Sequence, residues 1–241
     1  MTELSWDALA AQSNGRPALE VLRTATAAFG DRLALASSFG AEDVVLIDLL
    51  TQATPAPRVF AIDTGRLHEE TYDVMERIRA RYGVDIEVYY PQRRAVEQLE
   101  RSQGFYSFRG SLEERHQCCE IRKVEPLGRA LKGLQAWITG LRREQNVTRG
   151  GVEVIERDVA HGGIFKLNPL AGWTSEQVWD HIREYDVPYN RLHDQGFPSI
   201  GCEPCTRAVA RIEHPRAGRW WWESPEQKEC GLHVAGAIQT R

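Results

Sequence analysis

The chain has 241 residues, 42% of them hydrophobic, which is enough for one sizeable core. A formal charge of −4 excludes a general nucleic-acid binder, since that function needs a basic face to displace counterions from the phosphate backbone. No window approaches the roughly 18 apolar residues of a membrane span, and MTELSWDALAAQSNG lacks a charged stretch followed by an apolar signal core, so a cytoplasmic protein with no membrane or nucleic-acid partner is expected.

RPALEVLRTATAAFG predicts a helix, with Pro17 at an early position where its missing N–H costs little and Gly30 placed to end it. LALAS (33–37) is a short buried-strand run, SFG a tight turn, and AEDVVLIDLL resumes helical spacing. The unit recurs: RVFAIDT is a second strand run and GRLHEETYDVMERIRARYG a helix ending at Gly83, while VDIEVYY and LQAWITG supply further strands. This alternation predicts an α/β fold, a parallel sheet with helices on both faces. Such sheets bind ligands beyond the carboxyl ends of their strands, where SSFG, IDTG and TGLRREQNVTR all fall. Thr174 and Gln177 have capping-box spacing ahead of a helix running to about Tyr185. From EHPRAGRWWWE onward no periodicity supports a buried element, so a basic, aromatic patch leading into a mobile tail is expected. No internal repeat is present.

Five cysteines, an odd number, favour metal binding or thiol chemistry over a disulfide framework. Four form two close pairs, Cys118 with Cys119 and Cys202 with Cys205 in CEPC. A two-residue spacer lets two sulfurs converge on one metal centre. Two adjacent thiolates at a helix start can reach a large target, and an iron–sulfur cubane tolerates that geometry better than one zinc ion. A structural zinc and a pair of buried small hydrophobes are the competing readings. Lys123, four residues after Cys119, would share its helix face and direct a cation at the thiolates. Cys230, in KECGLH, has no partner in sequence and suits a nucleophile, against the alternative of an idle exposed thiol.

SSFGAED follows a strand and precedes a helix, offering backbone N–H groups and hydroxyls at a positive helix end. It lacks the GK[ST] of a P-loop, and no G-x-G-x-x-G is present. Arg142, Arg143 and Arg149 in LRREQNVTR, with Arg216 and Arg219 in EHPRAGR, are suited to bidentate contact with phosphate or sulfate oxygens, or else are solvated surface clusters.

Together these segments resemble the assimilatory sulfonucleotide reductases, specifically the bacterial type that carries a [4Fe–4S] cluster and reduces adenosine 5′-phosphosulfate. The match includes SSFGAED (37–43), IDTG (62–65), CCEIRK (118–123), GLRREQNVTR (140–149), GCEPCTRAV (201–209), EHPRAGRWWWE (213–223) and KECGLH (228–233). Its combination of CC, CxxC and ECGLH is specific, whereas each piece alone is not.

The resemblance implies an adenine-nucleotide hydrolase-like fold, with residues 1–212 binding nucleotide and cluster and 213–241 forming a C-terminal segment that carries the nucleophile. It implies Cys118, Cys119, Cys202 and Cys205 as ligands of one [4Fe–4S] cluster and Cys230 as the residue that attacks substrate. Ser37, Ser38, Phe39, Gly40, Ile62, Thr64 and Gly65 would hold the nucleotide, Ile62 standing where the family usually has leucine. Lys123, Arg142, Arg143, Arg149, Arg216, Arg219 and His233 would meet the remainder of the substrate. A thioredoxin-type dithiol as reductant and a homo-oligomer are further implications. Rival readings are a reductase of 3′-phosphoadenosine 5′-phosphosulfate or of both nucleotides, an ATP-using adenylating enzyme on a related fold, and a zinc-stapled interaction module. Phe39 and Ala41 break the SGGxD pattern of the adenylating class.

Overall fold

A computed structural model describes residues 6–145, 149–210 and 212–224. In chain order the elements are α1 (Trp6–Ser13), α2 (Ala18–Phe29), β1 (Leu33–Ala36), α3 (Ala41–Ala53), β2 (Val59–Ile62), α4 (Glu69–Tyr82), β3 (Ile86–Tyr89) and α5 (Arg93–Gln103). They continue with α6 (Leu112–Cys119), a π-helical turn (Glu120–Val124), α7 (Glu125–Leu131), β4 (Ala136–Ile138), β5 (Ile155–Asp158), β6 (Ile164–Leu167) and α8 (Ser175–Glu184). The chain forms two compact units, each discontinuous in sequence. One comprises Met1–Phe60, Asp73–Glu87 and Gly133–Asn190; the other comprises Ala61–Tyr72, Val88–Lys132 and Arg191–Arg241.

The first unit is built on the sheet, whose strand order is β3-β2-β1-β4-β6-β5. β1 pairs in parallel with β2 and β4, and β4 with β6. The expected α/β architecture is present, with one correction: β5 pairs antiparallel to β6, in a register that puts Ile155 opposite Leu167 and Asp158 opposite Ile164. Gly162 and Gly163, at φ 77° and 74°, turn the chain between them, a conformation that glycine adopts without a Cβ penalty. IERD, HGG and IFKL are thus the sequence signal of a hairpin that the strand-helix alternation did not expose.

α3 buries Val44, Val45, Leu46, Ile47, Leu49 and Leu50. Apolar residues around most of its circumference make it a core helix rather than a surface one. α2 is amphipathic, burying Val21, Leu22 and Ala25, and ends as expected at Gly30, which has φ 56°. Thr174 and Gln177 form the capping box of α8.

The second unit carries α5, α6 and α7 with the segments before and after them. α5 buries only Leu99 and is not among the elements expected from sequence. Ser111 caps α6 by accepting the Glu114 N–H at 3.1 Å. Among the described residues no helix is long and apolar enough to cross a membrane.

Candidate functional site

In the second unit Cys118, Cys119, Cys202 and Cys205 are buried thiols outside any disulfide, in one cluster with Leu99, Phe108 and Trp220. The adjacent pair does not lie at a helix start, as expected from sequence, but at the carboxyl end of α6. The π-helical turn then carries Glu120–Val124. A single such turn inside a helical run is strained and marks functional positions often. It also widens the helix, so Lys123 is not related to Cys119 by ordinary i,i+4 spacing.

Thr64 Oγ1 lies 3.3 Å from Cys202 Sγ. Burial alone would raise the Cys202 pKa, but the Lys123 charge, the Thr64 hydroxyl, Arg219 and Arg66 outweigh it and hold the thiol below its ordinary range. Cys205 goes the other way, pushed up to about 12 by burial and by the neighbouring Cys202. Burial likewise raises Cys118. Arg122, which the sequence did not mark apart from any other basic residue, is 4% exposed. It donates to Thr64 O at 2.7 Å and to Glu100 at 2.5 Å. Glu100 also takes Arg66 at 3.1 Å.

Within residues 213–224, where the sequence shows no periodicity for a buried element, the basic, aromatic patch is partly buried. Arg219 forms an antiparallel bridge with Thr206, Trp220 donates its N–H to Cys205 O at 3.1 Å, and Trp220 is 1% exposed. The guanidinium groups of Arg115 and Arg219 each lie 4.7 Å from the Trp220 ring centre, with Lys123 Nζ at 5.9 Å. Arg219 sits so close to Gly201 that a Cβ there would overlap its guanidinium. Arg216 is half-buried.

Among the buried N–H donors of this unit, Trp220 Nε1, Arg122 Nε and Arg219 Nε have no hydrogen-bond acceptor among the described residues. A buried donor without an acceptor is costly, so these groups call for acceptors beyond the described residues. Among the described residues no group of three His, Cys, Asp or Glu side chains converges as a single metal ion requires.

In the first unit the loop after β1 holds its donors inward. Ser38 N–H and Oγ–H both go to Asp43 Oδ2, at 2.6 and 2.8 Å, and Phe39 N–H goes to Ser37 Oγ at 3.1 Å. Phe39 is fully buried at φ 58°. These groups, expected to face an anion, are already satisfied, and only the fold could reveal that. Burial pushes the Asp43 carboxyl up to about 6 despite the Ser38 donors. Arg142 is similarly engaged, with Glu42 at 2.8 Å, Glu144 at 3.1 Å and Trp173 O at 3.2 Å. Arg143 donates to Val152 O at 2.7 Å and Arg149 to Gln145 at 2.5 Å.

In the second unit Ile62 ends β2, Thr64 is buried, and Gly65 donates its N–H to Asp63 Oδ1 at 2.7 Å. Cys230 and His233 lie outside the described residues.

Residues 32–208 match the family described as phosphoadenosine phosphosulfate reductase domain. A protein of Burkholderia cepacia named adenosine 5′-phosphosulfate reductase is 50% identical over 204 residues, covering 85% of this chain and 81% of that protein. The crystal structure of phosphoadenylyl-sulfate reductase from Candida auris superposes with a TM-score of 0.72 at 30% identity, over 86% of this chain and 98% of that one. Yeast FAD synthetase, at 14% identity and a TM-score of 0.55 over 79% of this chain and 66% of that one, shares the fold alone. With the matched region spanning all six strands of the sheet and all four clustered cysteines, the chain belongs to the phosphoadenosine phosphosulfate reductase domain family.

Proposed function

We propose that this chain is a reductase of adenosine 5′-phosphosulfate in sulfate assimilation, releasing sulfite and AMP, with Cys118, Cys119, Cys202 and Cys205 holding a [4Fe–4S] cluster. The observation that carries the reading is the gathering of four buried thiols outside any disulfide with Trp220 Nε1, Arg122 Nε and Arg219 Nε, donors that lack an acceptor among the described residues. That donor set fits the group: a cubane takes one thiolate per iron and its sulfurs accept N–H hydrogen bonds. A single zinc would need the thiols to converge on one point. When bound, the cluster supplies structural order and a local electrostatic field.

Cys230 acts as a thiolate on the sulfur of the phosphosulfate group. An S–S bond forms, the S–O bond to AMP breaks, and AMP leaves with the electron pair, so the protein carries S-sulfocysteine. A dithiol such as thioredoxin then attacks Cys230 Sγ, sulfite departs with the S–S pair, and the second thiol resolves the mixed disulfide. Both electrons come from the dithiol. Such a donor is held reduced in the cytoplasm, which suits this chemistry.

Ser37, Ser38, Phe39, Gly40, Ile62, Thr64 and Gly65 serve the nucleotide. Lys123, Arg216, Arg219, Arg142, Arg143, Arg149 and His233 offset phosphate and sulfate charge, which otherwise repels a thiolate. A homo-oligomer completes the reading. The substrate with a 3′-phosphate is the second candidate, because the Candida auris relative is named for it; the 50%-identical relative named for adenosine 5′-phosphosulfate favours the first.

The test is the mass of anaerobically purified protein mixed with each nucleotide, without reductant. One sulfonate on the Cys230 peptide is expected from adenosine 5′-phosphosulfate. An unmodified, iron-loaded protein with both nucleotides would overturn the thiol mechanism.

A further inference from the structure

Arg115 lies on α6, three residues before Cys118, and its side chain is 0% exposed. It donates Nε to Glu223 Oε1 and Nη2 to Glu223 Oε2, both at 2.9 Å, and the Glu223 side chain is 6% exposed. The same guanidinium stacks on Trp220. Arg109 lies 5.6 and 5.5 Å from the ring centres of Trp221 and Trp222. Residues 219–223 are therefore held by a bridge to Thr206, by cation–π contacts, and at their far end by one bidentate ion pair.

A fully buried ion pair is a poor source of stability, because desolvating both charges offsets their attraction; apolar packing of the same volume does as well or better. What a planar, bidentate pair supplies is fixed geometry. Glu223 stands seven residues before Cys230. Seven residues span at most about 25 Å fully extended. The Glu223 backbone N–H bonds Trp220 O at 2.8 Å, and the Trp220 backbone N–H bonds Cys205 O at 3.1 Å.

We propose that Arg115 and Glu223 anchor the point from which the chain runs on to Cys230, and so position the nucleophile without touching the reacting atoms. The inference rests on the reading of Cys230 as the nucleophile. Neither residue is part of the cluster ligands or the substrate-binding set.

The experiment is single-turnover sulfonation of Cys230 by saturating adenosine 5′-phosphosulfate in iron-loaded wild type and Glu223→Gln, followed by mass. Iron content, AMP affinity and the alkylation rate of Cys230 without nucleotide are measured alongside. Misalignment of a reactant costs up to about 100-fold. The expected result is a fall of about tenfold in sulfonation, with AMP affinity and alkylation unchanged. Trypsin cleavage after Arg219, which is 7% exposed in the intact protein, should appear in the variant and reports undocking without reference to Cys230.

If Glu223→Gln loses iron, Glu223→Asp supplies the comparison, since it keeps the charge and withdraws the carboxylate by one methylene. An iron-loaded Glu223→Asp is expected to fall between the two rates. A wild-type sulfonation rate in an iron-loaded variant overturns the anchor. Absence of sulfonate in wild type overturns the proposed function instead.

Discussion

Asp43 Oδ2 accepts both the backbone amide and the hydroxyl of Ser38, at 2.6 and 2.8 Å, from the first turn of α3. The carboxyl thus takes the donors that the loop would otherwise present outward. Its pKa stands at about 6, above the ordinary 3.8, because burial disfavours the charged form more than the Ser38 donors favour it. A carboxyl with a raised folded pKa contributes stability below its unfolded pKa and loses it as pH rises through the folded value. Urea titrations of wild type and Asp43→Asn are expected to show wild type losing up to about 3 kcal/mol relative to the variant between pH 4 and pH 7. A pH-independent difference would remove Asp43 from this role.

Arg122 joins Thr64 O to Glu100 from a buried position. Arg122→Met should cost about 3 kcal/mol, the lower end for breaking a buried pair, because Glu100 keeps Arg66 as a partner. Denaturant midpoints of the two proteins measure this, and a loss below about 1 kcal/mol would contradict it.

Lys123 is 8% exposed and its charge lowers the pKa of Cys202. Lys123→Ala is expected to retain iron and to lose at least about tenfold in rate, since it removes a preorganised cation from the thiols. Iron assay and steady-state turnover decide together. A wild-type rate would exclude the lysine from the reaction.

The five cysteines should separate into two classes. Cys119→Ser is expected to lose iron, whereas Cys230→Ser should keep the wild-type iron content and take up no sulfonate. Iron retained in the first variant, or lost in the second, would contradict the division.

Legibility from sequence followed the range over which each signal acts. The capping box at Thr174 and Gln177, the helix end at Gly30 and the parallel strands β1, β2 and β4 depend on neighbours a few residues apart, and all were readable. The antiparallel β5 was not, although its Gly162–Gly163 turn is local, because the preceding alternation favours a parallel continuation. α5 was not read although Ala95, Val96 and Leu99 stand at helical spacing, because only these three of its eleven residues are apolar.

The candidate site divides in the same way. Spacing and residue type alone grouped Cys118 with Cys119 and Cys202 with Cys205, and the motif set as a whole pointed to the family. Only tertiary structure brought the two pairs into one buried cluster, turned Ser38 inward to Asp43 and closed Arg115 on Glu223, 108 residues apart. The reason is physical. Covalent spacing restricts which groups can share a local turn, whereas the partners of a buried charge or thiol are chosen by desolvation, which acts only once distant segments have packed together.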